Sequence, residues 1–221
     1  MKYKPDSIGE AGLKFFGMIS ASISHELKNT LAIINESAGF LEDLTLMAEK
    51  GAAIEPLRLQ STVKRIQKQV KRADNILQNM NLFAHSVDTP VCTLDIHELM
   101  VGLLDLTRRL ADMKGIKVSL QPATGPIMIT TSPFFLKNLL WHVLSFAMRV
   151  AGDSKAVVMD ATKSDILVRI SFSHLHELSS DKTDNFPGER ETALIRMLNA
   201  QFSVDDNAGR IMLTLPASSI C

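Results

Sequence analysis

The most constraining feature of this sequence is the stretch from Met18 to Leu44, which predicts one long amphipathic helix. Mostly apolar and small residues recur in it at alternating steps of four and three positions, the spacing of a helix that packs against other helices. This first stripe consists of Ile19, Ile23, Glu26, Thr30, Ile33, Ser37, Phe40, Leu44 and Met47. A second stripe beside it widens the face to that of a helical bundle, and it consists of Phe16, Leu27, Ile34 and Leu41. We expect this helix to extend from about Glu10 to about Glu49.

A second long helix is expected from Pro56 to about Ala84, after a turn at residues 51–53. Proline fits the first turn of a helix, where its missing N–H has no partner to lose. The apolar positions again repeat at steps of three and four, and they are Val63, Ile66, Val70, Ala73, Leu77, Met80 and Ala84. Two helices alone cannot cover both stripes, but a second copy would complete a four-helix bundle. The sequence therefore predicts a homodimer.

Composition narrows the class of protein. The chain has 221 residues, 46% of them hydrophobic and 22% charged, which is typical of one or two globular domains. Its zero net charge argues against nucleic-acid binding, which favours a basic surface. Cys92 and Cys221 lack metal-ligand spacing and suit a reducing cytoplasm. No apolar run approaches the ~20 residues of a membrane span. We expect a cytoplasmic protein without nucleic-acid or membrane contacts.

Beyond a hinge at residues 86–90 the pattern changes to alternating strands and helices. Strands are predicted at 91–94, 116–120, 127–130, 156–159, 166–172, 202–204 and 210–215. Helices are predicted after Asp95, ending near Gly115, and at 134–150 and 189–200. The expected fold class is α+β, with a helical hairpin over residues 1–88 and an α/β sandwich of a mixed sheet and helices over residues 89–221.

His25 stands just off the first stripe, with Glu26 beside it and Asn29 one helical turn further on the same face. The sequence Ser-His-Glu-Leu-Lys-Asn-Thr-Leu-Ala around it resembles the phosphoacceptor box of dimeric bacterial sensor histidine kinases, over roughly Phe15 to Leu44. One departure is Thr30, where that family usually has proline, so the helix should be less kinked. An ordinary surface histidine remains the alternative.

The resemblance implies a role for each residue of this box. His25 would accept a phosphoryl group, since neutral imidazole has a nitrogen free to attack and its ordinary pKa is ~6.5. Glu26 would orient the imidazole, and Asn29 would position a water or a phosphorylated partner. Lys28 and Thr30 would lie close to the phosphate or partner, although a solvated lysine is the simpler reading of Lys28. The implied partners are receiver domains of response regulators.

The second half resembles the ATP-binding domain of the same kinases, in the helix from Leu139 to Ala147 and in the last strand at 209–216. The family has two asparagines on that helix, for Mg²⁺ and nucleotide, where this chain has His142 and Phe146. Phenylalanine cannot supply the oxygen ligands that Mg²⁺ prefers.

Two further parts of the family's nucleotide site are missing. The family's Asp-x-Gly-x-Gly is replaced by residues 173–177, and no Gly-x-Gly pair precedes residue 189 to form a phosphate nest. The lid is reduced to residues 178–188. We therefore expect no bound nucleotide and no cofactor.

His174, His176 and Glu177 raise the possibility of a metal site. Beyond the two histidines and the adjacent Glu177, nothing supplies a convincing further ligand at a recognisable spacing, so we expect no metal.

Three functions remain open. The first is a histidine phosphotransferase of a two-component phosphorelay, which carries a phosphoryl group on His25 between receiver domains without ATP. The second is a pseudokinase-type regulator or phosphatase of a response regulator. The third is a sensor histidine kinase with a divergent nucleotide site.

Overall fold

The computed structural model describes residues 7–178 and 185–217. Within these ranges the α-helices are α1 (Ser7–Glu49), α2 (Pro56–Ala84), α3 (Ile96–Met113), α4 (Pro133–Arg149) and α5 (Glu189–Met197). The strands are β1 (Cys92–Asp95), β2 (Lys117–Leu120), β3 (Met128–Thr131), β4 (Ala156–Ser164), β5 (Leu167–Ser173), β6 (Gln201–Asp205) and β7 (Arg210–Pro216). The predicted α+β class is confirmed, and none of these helices is both long and apolar enough to cross a bilayer.

The chain packs as two units. One is Ser20–Leu82, and the other comprises the residues up to Ile19 together with those from Phe83 onward. The beginning of α1 and the end of α2 thus belong to the α/β unit by packing. The domain boundary at residue 88 stays a prediction.

In the helical unit, Gly51 turns the chain between α1 and α2 with a φ of +86°, a conformation that glycine adopts readily. Alternate members of the first stripe are buried, namely Ile23, Thr30, Ser37 and Leu44. By contrast, Phe40 is 39% exposed and Met47 is 49% exposed. A single hairpin therefore covers only part of the stripe.

The α/β unit contains a five-stranded mixed sheet in the order β2-β4-β5-β7-β6. β2 lies parallel to β4, and the other neighbours are antiparallel, while β1 and β3 form a separate antiparallel pair. Asp95 caps α3 by accepting a hydrogen bond from the His97 N–H at 2.9 Å. Gly115, with a φ of +65°, follows the end of that helix. Both residues act at the helix ends as the sequence predicts.

Helix α4 is the centre of this unit. It begins at Pro133, lies against β4 and β5, and is flanked by α3 and α5. Its leucines and valine are completely buried, namely Leu136, Leu139, Leu140, Val143 and Leu144. Such a helix is apolar around most of its circumference, so a polar side chain that it buries is destabilising unless it is bonded inside the fold.

Candidate functional site

His25 lies exposed on α1, and Lys28 and Asn29 beside it are exposed as well. The imidazole makes no hydrogen bond or ion pair with the residues that the structure describes. Because His25 and Asn29 are separated by one helical turn, both side chains can meet the same partner. The α1 helix thus presents a histidine with free ring nitrogens next to an amide.

Glu26 is half-buried, and within the described residues no hydrogen bond joins its carboxylate to the adjacent imidazole. Neighbouring positions of a helix do not face each other, so contact would need both side chains to lean together. Its orienting role stays a prediction. Thr30, which we expected near phosphate or partner, is completely buried. Its hydroxyl donates to the Glu26 backbone carbonyl at 2.9 Å and is directed away from solvent.

In the α/β unit, His142 on α4 is bonded to Glu191 on α5. The Nδ1 atom of His142 lies 2.8 Å from Oε1 of Glu191, and the Glu191 side chain is only 12% exposed. The other carboxylate oxygen accepts the Gly188 N–H at 2.9 Å, just before α5 begins. The His142 hydrogen bond lowers the pKa of Glu191 below its ordinary 4.5, although burial opposes this shift. His142 and Glu191 are thus both bonded within the fold.

Phe146 lies one turn further along α4, in a group of aromatic rings. Its ring stacks on Phe186 with centroids 4.2 Å apart and an interplanar angle of 4°. Phe202 packs edge-on against Phe186 at 5.6 Å, and the Arg149 guanidinium lies 5.3 Å from the centre of the Phe146 ring. Through the stack, Phe146 contacts the segment that leads into α5.

The loop after β5 is anchored to the fold by two buried leucines. Leu175 and Leu178 are buried, and the Leu175 N–H donates to the Gly209 carbonyl at 3.1 Å. His174 and His176 point to the exposed surface, and the described residues contain no group of three or more potential ligands that could hold a metal ion. Residues 179–184 of the expected lid lie outside the described residues.

Asn138 is a polar residue that the sequence analysis missed. It is completely buried on α4, one turn before His142, and neither its amide nitrogen nor its amide oxygen has a hydrogen-bond partner among the described residues. An asparagine among the mostly apolar residues 134–144 is a signal that could have drawn attention to it. An unpaired buried amide of this kind costs about 1–3 kcal/mol.

Comparison with known proteins yields structural likeness only. No protein-family model matches the chain, and no curated protein matches its sequence. The ATP-binding domain of PrrB from Mycobacterium tuberculosis superposes with a TM-score of 0.50 at 18% identity, covering 59% of this chain and 100% of that domain. The catalytic domain of histidine kinase ThkA gives 0.49 at 12% identity, covering 60% and 100%. Histidine kinase AdeS from Acinetobacter baumannii gives 0.47 at 11% identity, covering 88% and 97%.

The α/β unit has the fold of a histidine kinase ATP-binding domain. That fold implies a magnesium nucleotide, and the residues present on α4 do not suit one. His142 is bonded to Glu191, and Phe146 offers an aromatic ring, stacked on Phe186, where an oxygen ligand is needed. We therefore assign no catalytic step to a nucleotide.

We predict that Glu191→Gln changes how stability depends on pH. A lowered pKa in the fold means that ionised Glu191 stabilises the protein fully above about pH 4.5, and that this stabilisation is lost as the pH falls through the lower folded value. The advantage of the unchanged protein over Glu191→Gln should thus be largest near neutral pH and shrink below about pH 4.5 in urea unfolding experiments. Glu189→Gln, at an exposed position in the same helical turn, is the control and should show no such trend. A pH-independent difference for Glu191→Gln would contradict the assignment.

We further predict that Asn138→Leu leaves the free energy of unfolding unchanged or raises it by about 1–3 kcal/mol, because it removes an unpaired buried amide at similar volume. Chemical denaturation measures the difference. Asn138→Ala serves for comparison, since it removes the same amide but leaves a cavity and should be less stable than Asn138→Leu. A loss of several kcal/mol in Asn138→Leu would mean that the amide has a binding partner.

Proposed function

We propose that this protein is a histidine phosphotransferase, which takes a phosphoryl group from the aspartyl phosphate of one receiver domain onto His25 and passes it to the aspartate of another. The observation that carries the proposal is the state of two α4 positions at which a nucleotide site would need ligands. His142 there is bonded to Glu191, and Phe146 is stacked on Phe186. His25, in contrast, is exposed and unbonded among the described residues. A reactive histidine without a usable nucleotide site is suited to relay rather than to ATP-dependent phosphorylation.

The transfer requires only chemistry that imidazole can perform. The unprotonated ring nitrogen of His25 attacks the phosphorus of the aspartyl phosphate, and a P–N bond forms as the P–O bond to the carboxylate breaks. The aspartate leaves with the electron pair as a carboxylate, and the other ring nitrogen then releases its proton to solvent. Transfer to the second receiver reverses these steps. The phosphorylated receiver supplies the phosphoryl group, so the reaction requires no nucleotide.

A regulator or phosphatase of a response regulator is the second candidate. The exposed Asn29, one turn from His25, favours it because an amide there can orient a water toward a phosphorylated aspartate. The two functions differ in whether His25 becomes labelled.

We also propose that two hairpins associate as a homodimer through the helical unit, in the cytoplasm. The residues that a single hairpin leaves exposed include Phe40 and Met47 on α1. On α2, Val63, Val70 and Leu77 recur at intervals of seven and are 44%, 54% and 48% exposed. This repeat is the spacing of a helix–helix seam, and a second hairpin would cover it.

We predict that His25→Ala abolishes the transfer of labelled phosphate from a receiver domain that has been charged with labelled acetyl phosphate. A panel of receiver domains is used, and the label on each protein is followed by gel electrophoresis over time. His85→Ala, which removes another highly exposed histidine, is the control and should retain transfer.

Label retained on His25→Ala would exclude His25 as the acceptor. Loss of phosphate from the receivers without any label on the unchanged protein would favour the phosphatase instead.

We predict that Phe40→Asp weakens the dimer by several kcal/mol, because each copy would bury a charge at the interface. Sedimentation velocity over a range of concentrations measures the shift toward monomer. Leu46→Asp, at a position that is 48% exposed and lies outside both stripes, is the matched control and should leave the association unchanged. Equal effects of the two substitutions would contradict the proposed seam.

A further inference from the structure

A cavity of about 530 Å³ lies in the α/β unit, and neither Phe146 nor Phe186 is among the described residues that line it. Three segments form its wall: the connection from α2 to β1, the beginning of α4, and the end of α5. The volume lies within the ~300–1,000 Å³ of typical small-molecule sites. The cavity is therefore large enough for a ligand of modest size.

Most of the wall is apolar, with side chains contributed by Val87, Val91, Phe134, Phe135, Met197 and Leu198. Three of these are exposed, since Val87, Val91 and Met197 are 51%, 45% and 44% exposed. Isolated exposed apolar residues need no explanation, but these three border one cavity. They favour an occupant with an apolar body.

One end of the cavity is polar and suited to an anion. Ser132 is the N-cap of α4, lines the cavity, and is only 8% exposed. Its hydroxyl neither caps the helix nor bonds to any other described residue. Because Ser132 lines the cavity and its hydroxyl makes no bond within the described fold, this group is available to bond a ligand that enters the cavity.

The backbone adds further donors beside that hydroxyl. The Leu136 N–H donates to the Ser132 carbonyl at 3.0 Å and is the first N–H that the helix can satisfy. Pro133 has no N–H, and the N–H groups of Phe134 and Phe135, at the positive end of the α4 dipole, have no acceptor among the described residues. An acceptor carrying negative charge would bond to them together with Ser132.

The absence of charged side chains from the described lining of the cavity indicates which kind of anion it could bind. Among the described residues that line it, none is a lysine, an arginine or an acidic residue. No cationic side chain in this lining balances the second charge of a phosphate dianion, so a singly charged carboxylate is the better match to a helix N-terminus and a hydroxyl.

We propose that this cavity binds a small amphipathic carboxylic acid, with its carboxylate on the Ser132 hydroxyl and the first N–H groups of α4, and its apolar body between Val91, Phe135 and Met197. The site goes beyond the proposed phosphotransfer, because it involves neither His25 nor a receiver domain. Its occupancy would restrain the connection between α2 and β1, which forms one wall.

Calorimetric titration of the full chain with decanoate, decanol and acetate, all below micellar concentrations, tests the proposal. Decanoate should bind saturably, decanol at least ten-fold more weakly, and acetate without measurable heat. Equal affinities for decanoate and decanol would overturn the role of the α4 N-terminus, and absence of decanoate binding would overturn the site itself.

Two variants locate the site. Val91→Trp should abolish decanoate binding by filling the cavity, whereas Val101→Trp, at an equally exposed valine on α3 outside the cavity wall, should bind as the unchanged protein does. Ser132→Ala should weaken decanoate by about ten-fold and leave decanol unchanged, since it removes one hydrogen bond to a charged group.

Ser132→Ala keeps the test valid if the tryptophan variant misfolds. This variant should fold normally, because the Ser132 hydroxyl has no bond within the described fold to lose. Its thermal unfolding should match that of the unchanged protein. Unaltered decanoate affinity in Ser132→Ala would contradict the proposed position of the carboxylate.

Discussion

The burial of α4 is the constraint on which the α/β unit depends. The α4 helix packs against β4, β5, α3 and α5 and therefore has little solvent-exposed surface for polar side chains. Each polar side chain that it buries must be paired inside the fold or remain unsatisfied. His142 is paired with Glu191, whereas Asn138 has no partner among the described residues. The same constraint explains why Phe146 is accommodated, since its ring extends the core by stacking on Phe186.

The region around α4 and the region around His25 differ in whether their side chains are already bonded. Around α4 the side chains are engaged with one another, and the lowered pKa of Glu191 reflects an internal bond to His142 rather than a vacant site. On α1, His25 has no bonded partner among the described residues and is exposed beside Asn29. A fold shared with ATP-binding domains does not by itself determine activity, because activity depends on the residues that the fold carries. This contrast is the reason for favouring relay over ATP-dependent chemistry.

Local patterns in the sequence predicted much of the architecture. The repeat of apolar residues indicated both long helices, Asp95 and Gly115 marked the ends of α3, and helical spacing placed His25 and Asn29 on one face. These features depend on neighbouring residues, so periodicity and capping reveal them. Thr30 belongs to the first stripe and is buried as that pattern predicts, while its expected place near phosphate or a partner stays a prediction.

Contacts between distant segments could not be predicted. The Glu191 carboxylate meets His142, and Phe186 meets Phe146, only after α5 has packed beside α4. The cavity near Ser132 likewise requires three separate segments to come together. Nothing in the local sequence of any one segment indicates these partners.

The central claim, that the protein works without ATP, is tested most directly by calorimetric titration with Mg-ATP into the millimolar range. The experiment requires no partner protein and uses the unaltered chain. Our account predicts no saturable heat, because the α4 side chains His142 and Phe146 are already engaged by Glu191 and Phe186. Saturable binding would contradict it and would make ATP-dependent phosphorylation of His25 the function to test.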